Sequence, residues 1–186
     1  MRLCSLAFTF CVCAATAVQA DVTARRETVM GATVHTVCRL GGVTITDGDN
    51  ATFSATDQGG AITLSALADR NTARALPARI RVTFQGVCNE PQSIRLVSSS
   101  GGLTQDQGAQ SSGGFLNRVD YTATLDWGAG QTTLSTDGTA NGSASVVSIG
   151  ARSGAVTLVI SIPAGSQPLV AGNYSDVLTV EFADNL

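Results

Sequence analysis

The sequence predicts an all-β antiparallel sandwich, and three observations predict it. Apolar residues recur at every second position in several short runs, Gly, Asn, Asp and Ser separate those runs, and stretches of helical period are scarce. Many short strands joined by turns bury their apolar faces best by stacking two antiparallel sheets.

The clearest run is 118–127, where Val119, Tyr121, Ala123, Leu125 and Trp127 share one face while Arg118, Asp120, Thr122, Thr124 and Asp126 share the other. In 79–85, Ile80, Val82 and Phe84 alternate with Arg79, Arg81, Thr83 and Gln85, so a one-residue slip would bury charge and the register is well specified. Residues 155–162 place Val156, Leu158, Ile160 and Ile162 on one side and Val159 on the other, the pattern of a central strand covered on both faces. A last run, 174–182, sets Tyr174, Leu178, Val180 and Phe182 against Ser175, Thr179 and Glu181. Shorter runs at 61–67 and 93–98 add further strands. The segments 47–50, 99–114 and 126–142 are rich in turn formers and read as loops. Residues 69–78 hint at a turn or two of helix, ended by Pro77.

The first twenty residues follow a separate logic. Arg2 gives a positive start, 3–18 is apolar or small, and Val18-Gln19-Ala20 fits a small-residue cleavage site, so 1–20 is expected to be a signal peptide. The stretch is short and rich in Ala and Thr for a permanent span, which needs roughly 20 strongly apolar residues. The remaining length suits one domain, with 21–36 as an N-terminal extension and 37–186 as the sandwich. Cys4, Cys11 and Cys13 fall in the leader, which leaves Cys38 and Cys88 as an even pair in an exported chain. They are expected to form a disulfide, two buried thiols being the other reading.

Every cation is Arg, the formal net charge is −3, and neither basic clusters nor aromatic runs are present. A nucleic-acid partner would find none of the electrostatic attraction that dominates phosphate binding. His35 is the sole histidine, in a Thr/Val-rich segment that reads as a strand, which restricts triad catalysis and zinc binding alike. Asp47, Asp49 and Asn50 resemble the start of a calcium loop, but the position of the bidentate Glu is Gln58, and a polar turn is the better reading. Neither an enzyme nor a cofactor-binding protein is expected. Trp127, before Gly128, reads as packed in the core or at an edge, with a sugar-stacking platform as the alternative.

Residues 169–180, LVAGNYSDVLTV, resemble the closing "aGtYsDtvtv" strand of the spore coat protein U family, which includes subunits of archaic chaperone-usher pili. Residues 116–128, LNRVDYTATLDWG, resemble that family's strand leading to Trp-Gly, and Cys38 and Cys88 each follow an alternating segment as the family's cysteines do. The chain departs from the pattern in lacking an "FG-x-Y" after the first Cys, in its longer 41–78 stretch and in its last residues, Ala183-Asp184-Asn185-Leu186. The resemblance implies an immunoglobulin-like antiparallel sandwich missing its last strand, with an apolar groove beside the C-terminal strand whose residues are Tyr174, Leu178, Val180 and Phe182. It implies a secreted subunit of a surface fibre or coat, guided by a periplasmic chaperone and an outer-membrane usher and polymerising by donor-strand complementation with like subunits. No strand is expected after Phe182 to cover that groove, and 21–36 offers Val22, Ala24, Met30, Ala32 and Val34 at one parity as an expected donor, interrupted by Arg26. The rival expectation is a self-contained adhesin or carbohydrate-binding sandwich that uses the loops around 127–141.

Overall fold

The computed structural model describes residues 30–56, 59–108, 110–138, 143–148 and 150–184. The chain divides into Met1–Val34 and His35–Leu186. Of the first unit the described residues, 30–34, have no regular secondary structure and are exposed.

His35–Leu186 is all-β, with no helix among the described residues. Its strands are β1 (Cys38–Asp49), β2 (Ala51–Thr56), β3 (Gly59–Leu64), β4 (Ala78–Cys88), β5 (Gln92–Ser98), β6 (Leu103–Gln105) and β7 (Arg118–Val119). They continue with β8 (Thr122–Trp127), β9 (Gly130–Ser135), β10 (Ser143–Ser148), β11 (Arg152–Ile162), β12 (Tyr174–Ser175) and β13 (Leu178–Asp184). A five-stranded antiparallel sheet runs β1-β4-β11-β8-β9 and faces a three-stranded antiparallel sheet β10-β5-β13, so the fold is a β-sandwich. A small sheet, β12-β6-β7, and a separate hairpin, β2-β3, complete it.

The period-two pattern places the core where the sequence predicts it. Ile80 and Val82 of β4, Val156 and Leu158 of β11, Ala123, Leu125 and Trp127 of β8, and Ile94 and Leu96 of β5 are all buried. At roughly 1.5–3 kcal/mol for each large apolar side chain removed from water, these inward rows supply the main drive to fold. On the outer face of the larger sheet Asp47 pairs with Arg81 and Asp49 with Arg79, so cross-strand charge complements the apolar register. β11 lies between β4 and β8, the central position its two-sided apolar pattern implies.

Trp127, the last residue of β8, is buried in the core. Its ring meets Phe182 of β13 edge-on at a centroid distance of 5.6 Å, an orientation favoured by the ring quadrupoles. A Cβ at Gly86 of β4 would lie 2.9 Å from the indole, so glycine is what lets Trp127 cross that strand. Its backbone then turns through Gly128 at φ 62°, with the Gly128 amide donating to Asp126 Oδ1 at 2.9 Å. That tight turn produces β9 inside the 126–142 segment expected to be a loop, because four residues suffice to reverse the chain.

Five further expectations change. The 118–127 run breaks into β7 and β8, and the 174–182 run into β12 and β13, because the chain turns a corner within each. Residues 47–49 continue β1 rather than forming a turn, and the reversal falls on Asn50 at φ 55°. His35 lies outside any strand, its carbonyl accepting a hydrogen bond from Asn89 Nδ2 at 2.8 Å. Residues 69–78 form one isolated turn, the Ala73 amide donating to the Asp69 carbonyl at 2.8 Å, before Ala73 itself takes φ 53° and stops any helix. Asp69 holds that turn by accepting from the Asn71 and Thr72 amides and the Thr72 hydroxyl, which lowers its carboxyl below the usual range.

Cys38 and Cys88 are directly opposed across β1 and β4 and form a disulfide, as a chain in an oxidising compartment does. The bridge closes a sequence separation of 50 and ties the rim strand β1 to the sheet at its first residue. Constraint of the unfolded chain by a loop of this length is worth about 4 kcal/mol. The paired Cys38→Ala, Cys88→Ala variant is expected to lose that amount, read from the urea midpoint against the oxidised protein.

Candidate functional site

The two facing sheets meet differently along their two sides. On one side β10 lies beside β9, with Val146 against the backbone of Gly130. On the other side the rims are β1 and β13, and no pairing joins them among the described residues. Between these rims opens a groove of about 960 Å³.

Its floor and walls are mainly apolar. β1 contributes Leu40, Gly41, Gly42 and Val43, the larger sheet adds Phe84, Leu158, Ile160 and Ile162, and β13 adds Leu178 and Val180. The hairpin adds residues on a third side, among them Phe53, Ile62 and Leu64. β1 shifts register between Leu40 and Val43 and again between Val43 and Ile45, so its rim is irregular beside Gly41-Gly42. β13 pairs with β5 from Leu178↔Ser98 to Asp184↔Gln92, and its other edge has no strand beside it among the described residues. Such an edge offers a row of backbone donors and acceptors to an incoming chain.

One end of the groove is fastened by Asp176. Its Oδ2 accepts from Ser98 Oγ at 2.5 Å and from the Tyr121 hydroxyl at 2.7 Å. Its Oδ1 accepts from Ser99 Oγ at 2.9 Å, the Ser100 amide at 2.9 Å and the Val177 amide at 2.8 Å. These donors lie at the corners where β5 gives way to β6, β7 to β8 and β12 to β13, so one carboxylate pins three bends. Burial alone would raise the Asp176 pKa, but the hydroxyl and amide donors outweigh it and hold the carboxyl below the usual range. Burial, reinforced by the carboxylate, pushes the Tyr121 phenol far above its ordinary value.

Of the residues expected on the groove strand, Leu178 and Val180 line the groove. Phe182 lies on the same strand but packs on Trp127. Tyr174 is separate: it sits on β12, with its hydroxyl donating to the Val170 carbonyl at 2.7 Å. Of the expected donor residues, Met30 and Val34 are 91% and 83% exposed and Ala32 is exposed as well. Val22 and Ala24 lie outside the described residues. Trp127, 2% exposed, presents no ring face for a sugar to stack on. The contributions of β1 and the hairpin were not singled out from sequence, although the alternation of Ala51, Phe53 and Ala55 with Thr52, Ser54 and Thr56 carries the signal.

The chain matches no protein-family model and no curated protein.

Asp176→Asn puts an amino group where one oxygen now takes donors. It is expected to cost about 2 kcal/mol near neutral pH, the scale of hydrogen bonds to a charged group. Because the folded state favours the ionised carboxyl, the native side chain adds stability above its ordinary value of 3.8 and loses it as pH falls through the lower folded value. Denaturant titrations at pH 7 and at pH 3 and below should show the gap between the two proteins narrowing on acidification.

Proposed function

We propose that this protein is a non-enzymatic, exported structural subunit of a surface fibre or coat, in which the groove between β1 and β13 accepts a strand from another copy. The observation that carries the reading is the conjunction of an apolar groove with the free edge of β13 along it. An incoming extended segment gains main-chain hydrogen bonds from that edge and burial for every second side chain, which is the chemistry of strand addition. A groove of this kind takes a strand with alternating apolar residues.

The chain carries one candidate for that role. Met30, Ala32 and Val34 share a parity and are exposed outside any strand, and Val22 and Ala24 extend the same parity toward the leader. Donor-strand complementation between copies would bury these side chains and cover the edge in one step. Until a copy arrives the edge is an aggregation hazard, and a periplasmic chaperone covering it, with an outer-membrane usher handing it on, answers that hazard. The motif likeness to the spore coat protein U family supports the same route. The disulfide fits passage through an oxidising compartment.

Purified protein is expected to form concentration-dependent oligomers, and a variant lacking residues 21–36 is expected to remain monomeric and to bind a synthetic 21–36 peptide added in trans. Light scattering and peptide titration check both. A parent chain that stays monomeric, is indifferent to the deletion and binds no peptide would overturn the proposal.

A further inference from the structure

The β2–β3 hairpin has two chemically different faces. Residues opposite one another in an antiparallel pair share a face, and the register Ala51↔Leu64, Phe53↔Ile62, Ala55↔Gly60 gathers Ala51, Phe53, Ala55, Gly60, Ile62 and Leu64 on one side. The other side carries Thr52, Ser54, Thr56 and Thr63. Such alternation specifies that one whole face be covered.

Only half of that face is covered. At the root Ala51 is buried with Ile80 and Val82 of the larger sheet, and Phe53 and Leu64 pack against that cluster. Farther out, Ala55 is exposed and Ile62 is 36% exposed, and both border the groove, as do Thr56 and Ala61 of the other face near the tip. The hairpin is bonded into neither large sheet, but its root is held firmly. Asn50 Nδ2 donates to the Ala66 carbonyl at 2.8 Å and the Pro77 carbonyl at 3.2 Å, and Asn50 Oδ1 accepts from the Ala66 amide at 2.9 Å. The Phe53 ring is set down across Gly60, where a Cβ would overlap it at 2.0 Å. The apolar face thus runs on, at a fixed root, beyond the core that it needs.

We infer that the outer half of this face, Ala55 and Ile62 together with the Phe53 ring, is a contact surface for the strand that occupies the groove, an inference that rests on the strand-acceptor reading above. The occupant is then held on three sides: by the β13 edge, by the inner face of the larger sheet, and by the hairpin. The longer 41–78 stretch of this chain gains a role by which it selects an occupant with apolar side chains on the hairpin side as well.

The test measures dissociation of a fluorescent 21–36 peptide from the full chain and from three variants. Ile62→Asp places a charge on the uncovered apolar face, Thr63→Asp places the same charge on the opposite face, and Ile62→Leu keeps the surface apolar. Ile62→Asp is expected to release the peptide about tenfold faster or more, the scale of losing one large buried aliphatic contact. Thr63→Asp and Ile62→Leu should behave as the parent. Thermal melts confirm folding, and Ala55→Asp replaces Ile62→Asp if the latter fails to fold. Equal release from Ile62→Asp and Thr63→Asp overturns the inference, as does slower release from Ile62→Asp, which would make the hairpin a competitor for the groove. Absence of peptide binding by the parent overturns the strand-acceptor reading itself.

Discussion

A sheet edge leaves a row of backbone N–H and C=O groups without partners, and where that edge borders an apolar interior both must be covered together. In this protein the constraint falls on β13. Its inward side chains, Leu178, Val180 and Phe182, belong to the common core, and β5 satisfies one of its edges. The opposite edge and the apolar strip between it and β1 have no strand over them among the described residues. Covering them with one extended segment meets both needs, because a strand is the only element that satisfies a ladder and alternates side chains into a cleft.

The rest of the structure makes that opening durable. On one side β9 and β10 lie beside each other, and Trp127 ties the two sheets together through Phe182. The Cys38–Cys88 bridge anchors the β1 rim, and Asp176 pins the corners from which β6, β8 and β13 depart. One rim of the groove is thus held covalently and the other by a five-donor carboxylate. Such preorganisation reduces the ordering cost of binding a flexible segment.

Much of the sandwich was legible in the sequence, because period two with charges on the outer parity leaves a single register for residues such as Ile80, Val82, Leu125 and Val156. What escaped has physical causes. The corners at Tyr121 and Asp176 depend on hydrogen bonds between residues as far as 78 apart in the chain, which no local pattern reports. β9 reads as a loop because its inward positions are Gly130, Thr132 and Leu134, a weakly apolar row next to a glycine turn. The 69–78 segment has helix-forming composition, yet Asp69 captures the following amides and Ala73 adopts a left-handed conformation. The β1 and hairpin walls of the groove emerge from topology, which no local pattern reports.

Amide hydrogen exchange along β13 addresses the central claim directly. In a chain lacking residues 21–36, the β13 amides that do not bond to β5 should exchange rapidly while their alternate neighbours are protected. In assembled full-length protein both sets should be protected. If the outward amides are already slow in the truncated monomer, or remain fast in the assembly, the edge of β13 is not where copies join.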